Sequence, residues 1–144
     1  MKLFLENSSQ KPLTQDLFES ILERLPLVIE NIHESELELL LTDDKTIQKL
    51  NHEFRAKNSP TDVLSFAQRE LPKPAQNSAS LGQIVISVES AERQAAELSQ
   101  SLEEELRFLF THGLLHLLGF DHQNPKEEKL MLEKAYKILG RLPL

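Results

Sequence analysis

Cysteine is absent from this 144-residue chain. A disulfide framework is therefore excluded, and cysteine usage gives no direct information about the redox compartment. Long apolar runs are also missing, because no stretch reaches the roughly 20 residues that a membrane-spanning helix needs. The first residues, MKLFLE, become acidic too soon for a secretory leader. We therefore expect a cytoplasmic protein with no membrane partner and no disulfides.

Positive charge is scarce, since 16 lysines and arginines face 23 aspartates and glutamates, for a net charge of −7. This balance argues against holding nucleic acid through bulk electrostatics. The distribution is nevertheless uneven along the chain. Residues 45–73 contain six basic side chains (Lys45, Lys49, Arg55, Lys57, Arg69 and Lys73) and three acidic ones (Glu53, Asp62 and Glu70). This segment predicts either a local basic groove or an ordinary solvated loop region.

The hydrophobic pattern predicts one α+β domain over residues 1–144, with a mixed sheet of about four strands and about five helices. Strands are expected at residues 2–6, 36–41, 62–66 and 82–87, and a loop at residues 69–81. Residues 106–118 are almost entirely apolar, so the helix that contains them should be central and buried. The element order mixes strands and helices without regular alternation, which favours α+β over α/β.

Capping residues mark the expected helix starts. The first helix should run from Thr14 to about residue 25, where Pro26 would stop it. The remaining starts are Asp43 or Asp44, Ser87, Ser101 with Glu104 as a capping box, and Asn124 followed by Pro125.

One run, HGLLHLLGFDH at residues 112–122, holds three of the five histidines. His112 and His116 are four apart, which places them on one face of a helix. Gly119 can end that helix in a left-handed conformation and turn the chain so that His122 returns to the same point. Three imidazoles with an open fourth position are typical of catalytic zinc. The alternative is that these are ordinary core histidines with satisfied hydrogen bonds.

The run matches the metzincin protease pattern except at Gly113, where that pattern has its glutamate base. It therefore predicts a hydrolytic metal site without the usual peptidase base. Glycine inside a helix costs about 1 kcal/mol relative to alanine, so Gly113 calls for an explanation. One hypothesis is that it leaves space for a bulky polymer beside the metal. The other is that a carboxylate there would repel an incoming phosphate.

Four segments together resemble the YbeY family of endoribonucleases. They are residues 112–122, LNHEFR at 50–55, PTDVLSF at 60–66 and LGQIVIS at 81–87, in family order across about residues 40–124. The resemblance implies a small α+β domain with a mixed sheet and a three-histidine metal site. It also implies metal-dependent cleavage of single-stranded RNA, in 3′-end maturation of small-subunit ribosomal RNA and in ribosome quality control. Single-stranded RNA, small-subunit ribosomal RNA and ribosomal small-subunit components are the implied partners.

Carried over residue by residue, the resemblance makes His112, His116 and His122 the ligands of one Zn²⁺ per chain, although imidazoles also accept nickel and other divalent ions. Arg55 matches the family's functional arginine, and we expect Arg55 and His116 to act in catalysis. Without the resemblance, Arg55 could equally form a surface salt bridge. The sequence departs from the family pattern at three places. Gln83 replaces the family's usual aspartate, Ala67 follows Phe66 where proline is common, and residues 72–80 lack the family's usual acidic character.

The expected enzyme is a zinc-dependent hydrolase of phosphodiester bonds. Zinc held by three neutral ligands can lower the pKa of a bound water to about 7, so the nucleophile is either that water or the RNA's own 2′-hydroxyl. Arg55 would stabilise charge on the phosphoryl oxygens through its planar fork. Asp121 could orient a histidine or cap the turn after Gly119.

Two other functions remain compatible with the residues. A zincin-like metallopeptidase would need a base that Gly113 does not supply. A non-catalytic, metal-binding ribosome assembly factor would hold a structural metal, which usually has four protein ligands.

Overall fold

A four-stranded mixed sheet organises the chain in the computed structural model, which describes residues 1–71, 79–121 and 123–140. The strands are β1 (Lys2–Asn7), β2 (Glu36–Thr42), β3 (Val63–Ala67) and β4 (Ser80–Ser87). Their spatial order is β1-β2-β4-β3, so β1 and β3 are the two edges. β2 pairs in parallel with both β1 and β4, whereas β3 runs antiparallel to β4. The predicted α+β class with a mixed sheet is confirmed.

Five α-helices lie within the described residues: α1 (Asp16–Val28), α2 (Asp44–Arg55), α3 (Val88–Glu97), α4 (Leu102–Leu117) and α5 (Pro125–Leu139). A short 3-10 helix, Gln68–Glu70, follows β3 inside the segment predicted to be a loop. Residues 72–78 of that predicted loop lie outside the described residues. None of the helices in the described ranges is long and apolar enough to cross a membrane.

The sheet carries an apolar core on each face. The larger core joins the sheet to α1, α3, α4 and α5, with Phe18, Phe110, Leu114 and Ile84 fully buried at its centre. The smaller core lies under α2 and consists of Ile47, Leu64 and Val85. α4 therefore lies on one face of the sheet and α2 on the other. The prediction that residues 106–118 form a central buried helix is confirmed, since α4 contacts β3, β4 and its three helical neighbours.

Most predicted helix starts are confirmed by their hydrogen bonds. Asp43 caps α2 by accepting from the Thr46 N–H, and Ser87 caps α3 by accepting from the Ser90 N–H. Ser101 and Glu104 form the complete capping box of α4. Asn124 caps α5, in which Pro125 is the first residue. These starts were predictable because each one depends on residues three or four positions apart.

The prediction for α1 was wrong at both ends. The helix begins after Gln15 rather than at a Thr14 cap, and the Gln15 side chain makes no capping bond. Pro26 lies inside the helix, which continues to Val28 and closes with the Ile29 N–H donating to the Leu25 carbonyl at 2.9 Å. Pro26 has no N–H to donate to the Leu22 carbonyl, and because the helix ends at Val28 this loss is confined to its last turn.

Candidate metal and phosphate site

The histidine face of α4 has the geometry that the sequence predicts. His112 and His116 lie one turn apart, with ring centroids separated by 4.9 Å and ring planes inclined at 48°. Both side chains are half-buried, whereas their neighbours Leu114, Leu115 and Leu117 are fully enclosed. The two imidazoles are therefore held by a buried helix and still reach the surface.

α4 ends in the left-handed turn predicted at Gly119, whose φ is +102°. The Gly119 N–H donates to the His116 carbonyl at 3.0 Å, and the Phe120 N–H donates to the Leu115 carbonyl at 3.0 Å. This pair of bonds is the Schellman arrangement that reverses a chain at a helix C-terminus. The reversal turns the backbone after His116 back over the end of α4.

His122 lies outside the described residues, so its part in the site stays a prediction. Within residues 1–71, 79–121 and 123–140, no group of three histidine, cysteine or carboxylate side chains is placed to hold an ion. The two described histidines nevertheless suit a divalent metal, because they present imidazoles from one helix face and can act as neutral ligands. Zinc fits this donor set of two imidazoles.

An aromatic side chain backs His112. The Phe108 ring stacks on the His112 ring with centroids 6.2 Å apart, and Tyr136 from α5 lies 6.5 Å beyond Phe108. Phe108 thus lies beside His112 and Tyr136 lies beside Phe108, a packing arrangement that the sequence did not indicate.

Arg55 reaches the same region from the opposite face of the sheet. It is the last residue of α2, which ends at Ala56 in a left-handed conformation. Because β3 is an edge strand, the Arg55 side chain can pass around it, donating from Nη2 to the Ser65 carbonyl at 2.6 Å. Its guanidinium carbon lies 5.6 Å from the Phe66 ring centroid. A surface salt bridge, the alternative for Arg55, is not observed among the described residues.

These side chains line one groove of about 580 Å³, here called the histidine groove. Its polar lining consists mainly of Arg55, Lys57, Ser65, Arg69, His112, His116 and Asp121. Three cations of the basic segment predicted at residues 45–73 therefore line it, but Asp62, Glu70 and Asp121 line it as well. The groove is balanced in charge rather than basic, so a bound divalent cation would make it positive.

Arg69 belongs to this site and was counted in the sequence only as part of the basic segment. Its Nη1 donates to the Leu117 carbonyl, and its Nη2 donates to the His116 carbonyl at 3.1 Å. Arg69 lies 47 and 48 positions before these two partners in the chain. No sequence pattern indicates a contact at that separation, so the hydrogen bonds could not be predicted.

Gly113 faces the sheet, which gives a reason for glycine that neither sequence hypothesis contains. A β-carbon at this position would lie 3.0 Å from the Ser65 Oγ and 3.1 Å from the Ile84 Cγ2. Both distances are tighter than ordinary contacts, so glycine allows α4 to approach β3 and β4 closely. Gly113 is buried in that contact and does not line the histidine groove.

Gln83, the main departure from the family's motifs, lies away from the histidines. In β4 it faces the α2 side of the sheet, where its Nε2 donates to the Glu38 Oε2 at 2.5 Å. Ala67, the second departure, is buried at the end of β3 and lines the edge of the histidine groove.

Comparison with known proteins agrees with this architecture. The solution structure of TM1509 from Thermotoga maritima superposes with a TM-score of 0.62, covering 96% of this chain and 89% of the other. At 24% identity, the likeness concerns the fold.

Sequence relatives identify the family. The endoribonuclease YbeY of Pelotomaculum thermopropionicum is 47% identical over 77% of this chain and 74% of its own length. The endoribonuclease YbeY of Acetivibrio thermocellus is 37% identical over 100% of this chain and 98% of its own length. The sequence model of the endoribonuclease YbeY family matches residues 4–143. The chain therefore belongs to the endoribonuclease YbeY family.

Proposed function

We propose that this chain is a metal-dependent endoribonuclease that cleaves single-stranded RNA. In this proposal His112, His116 and His122 hold one Zn²⁺, and Arg55 and His116 act in catalysis. The reaction serves 3′-end maturation of small-subunit ribosomal RNA and ribosome quality control in the cytoplasm, with ribosomal small-subunit components as partners. The main support for the proposal is that Arg55, His112 and His116 line one groove. Arg55 comes from α2 on one face of the sheet, and the two histidines come from α4 on the other.

The roles of the residues follow from their chemistry. Lewis-acid polarisation of a phosphoryl oxygen and activation of a water molecule are what a bound Zn²⁺ supplies. His112 and His116 hold the ion on the rigid end of α4. Arg55 uses one N–H on the Ser65 carbonyl, which leaves the other N–H groups of its fork to bind phosphoryl oxygens. The carbonyl thereby orients the fork before RNA arrives, so less side-chain entropy is lost on binding.

The peptidase alternative gains no support from the site. A zincin needs a carboxylate base beside its first histidine, and that position is Gly113, which packs against Ser65 and Ile84 instead of facing the groove. The groove also presents Arg55, whose guanidinium group suits phosphate better than a peptide carbonyl.

The test compares three substrates and two matched histidine variants. Zinc-loaded protein is incubated with single-stranded RNA, duplex RNA and casein, alongside His116→Ala and the control His52→Ala. His52 is an exposed residue of α2 that does not line the groove. We expect cleavage of single-stranded RNA alone, its loss in His116→Ala and its retention in His52→Ala. Cleavage of casein, or unchanged RNA cleavage by His116→Ala, would contradict the proposal.

Metal content tests the ligand set separately. Elemental analysis should find one divalent ion per chain in the wild type and His52→Ala, and sharply less in each of His112→Ala, His116→Ala and His122→Ala. Full retention of metal by His122→Ala would remove it from the proposed ligands.

The attacking oxygen can be distinguished with a modified substrate. We propose an activated water as the attacking group, with the RNA's own 2′-hydroxyl as the alternative. A single 2′-deoxy substitution at the scissile nucleotide should then leave cleavage intact. Blocked cleavage with unchanged RNA affinity would instead indicate the 2′-hydroxyl.

A further inference from the structure

We infer that Arg69 is a positioning residue for the proposed metal ligands, an inference that rests on the proposed function of the histidine groove. It follows β3 in the 3-10 helix Gln68–Glu70 and reaches across to the C-terminus of α4. There its two terminal nitrogens donate to two successive carbonyls, those of His116 and Leu117. One guanidinium thus binds the backbone of a proposed ligand and the residue after it.

The position of these carbonyls explains why a fork is needed. The last four carbonyls of a helix have no intrahelical donor, and they form the negative end of the helix dipole. The Gly119 N–H already donates to the His116 carbonyl as part of the chain reversal. Arg69 adds a second donor there and also pairs the Leu117 carbonyl, so it fixes the backbone within the reversing turn.

This turn adjoins one proposed ligand and leads along the chain to the next. Residues 117–121 connect His116 to His122, so the backbone that Arg69 binds joins the two proposed ligands. A metal tolerates only small deviations in ligand position. Mutating residues that hydrogen-bond to metal ligands typically lowers metal affinity by about 10- to 100-fold. By binding the start of the turn, Arg69 keeps the ligand geometry in place before an ion arrives.

Arg24 offers a matched comparison elsewhere in the molecule. It donates from Nε to the Ile138 carbonyl at 2.8 Å and from Nη2 to the Lys137 carbonyl at 3.0 Å, at the C-terminus of α5. That helix also ends in a glycine of positive φ, Gly140 at +72°. Arg24 therefore provides the same fork-to-carbonyl bonds at a helix end that carries no proposed ligand.

The experiment measures zinc affinity by calorimetry, together with the melting temperature, for the wild type, Arg69→Ala, Arg69→Lys and Arg24→Ala. We expect Arg69→Ala to weaken zinc binding about tenfold or more, and Arg69→Lys to fall between it and the wild type, since an ammonium cannot span both carbonyls as the fork does. Arg24→Ala should lower the melting temperature but keep the wild-type zinc affinity. In RNA cleavage, Arg69→Ala should lower kcat more than it raises KM.

Wild-type zinc affinity in Arg69→Ala would overturn the inference, and so would an equal loss of affinity in Arg24→Ala. A raised KM with unchanged zinc affinity would make Arg69 an RNA contact instead, which also contradicts positioning. If Arg69→Ala does not fold, Arg69→Lys decides by the same criterion. A wild-type protein that binds no zinc would contradict the proposed function itself, and this inference with it.

Discussion

Arg55 is held by one of its N–H groups, and in the proposed function its other N–H groups bind the phosphate. Its bond to the Ser65 carbonyl and its position over the Phe66 ring hold the guanidinium at the groove. Arg55→Lys keeps the charge but loses the planar fork, so RNA cleavage should fall by at least about tenfold, the equivalent of one charge-assisted bond.

Zinc content should not change in Arg55→Lys, because Arg55 is not a proposed ligand. Arg93→Lys is the matched control, since Arg93 pairs with Asp44 at 2.8 Å outside the groove. Initial rates on single-stranded RNA check both variants. Wild-type cleavage by Arg55→Lys would contradict the role of the fork.

Gly113 allows a second prediction at the residue scale. Alanine would gain about 1 kcal/mol of helix propensity, but its β-carbon would press on Ser65 and on the fully buried Ile84. Overpacking of this kind costs about 1–3 kcal/mol, so Gly113→Ala should lower the free energy of unfolding by roughly 1 kcal/mol. Chemical denaturation measures the change.

The double variant Ser65→Ala with Gly113→Ala identifies the cause, because removing the Ser65 Oγ relieves one of the two close contacts. If the change in the free energy of unfolding of the double variant equals the sum for the two single variants, the packing explanation is contradicted. Gly113→Glu should destabilise the fold much more than Gly113→Ala, since the carboxylate would enter the contact between helix and sheet.

The sequence predicted the residues of the site to different extents. His112, His116 and Gly119 were predictable because helical spacing and a helix end are local properties of the chain. Arg55 was placed by family resemblance and not by any local rule. Arg69 was missed because its partners lie across the fold.

At the scale of elements, the starts of α2 and α3 are bound to each other. Asp44 in the first turn of α2 accepts from the Ser87 and Ser90 hydroxyls at 2.5 and 2.6 Å and from Arg93 at 2.8 Å. In return, the Asp44 N–H donates to Glu89 of α3 at 2.8 Å. Partial burial alone would raise the pKa of Asp44, but the three hydrogen bonds outweigh it and lower the pKa.

This lowered pKa gives a direction for acid stability. A carboxyl whose folded pKa is depressed stabilises the fold above its unfolded pKa of about 3.9, and that contribution is lost as the pH falls through the folded value. Asp44→Asn should therefore be less stable at pH 7, by about 1–2 kcal/mol, and its stability should change less between pH 5 and pH 2.

Denaturant titrations at several pH values measure the effect of Asp44→Asn. Asp16→Asn, in the first turn of α1, serves as the control. Parallel pH curves for Asp44→Asn and the wild type would show that the network carries no pH-dependent stability.

The predicted helix ends illustrate which elements are readable from sequence. The starts of α4 and α5 are set by residues within one turn of each other. Ser101 and Glu104 form the capping box of α4, and Asn124 caps α5 just before Pro125, as the sequence predicts. Thr14 and Pro26 carry equally clear signals, yet α1 begins after Gln15 and continues past Pro26, and its Phe18, Ile21 and Leu25 side chains are buried. Tertiary burial overrides a local preference worth about 1 kcal/mol.

At the scale of the whole molecule, metal binding and folding should be coupled. The proposed ligands lie in α4 and beyond its end, and α4 packs against most of the fold. Zinc at 100 times its dissociation constant should add about 2.7 kcal/mol of stability, a rise in melting temperature of roughly 5–10 °C. Scanning calorimetry with and without zinc measures this shift, which His112→Ala should abolish and His52→Ala should retain. An equal shift in both variants would indicate binding elsewhere.

The arrangement of the strands and helices in space could not be predicted from the sequence. Patterning predicted four strands close to their observed positions, but not that β4 lies between β2 and β3 or that α2 covers the second face. Such choices depend on contacts between residues far apart in the chain. The meeting of Arg55 with the histidines follows from them, so it too required the structure.

The edge position of β3 has a consequence for self-association. An edge strand exposes backbone groups that can pair with a strand of another molecule, and proteins commonly protect such edges with charged side chains. The Arg55 guanidinium donates to the Ser65 carbonyl of this strand, so the residue proposed for RNA cleavage also covers one of the groups through which the edge could pair. Arg55→Ala should therefore show more light scattering than Arg93→Ala at high protein concentration, where added zinc should not reverse it.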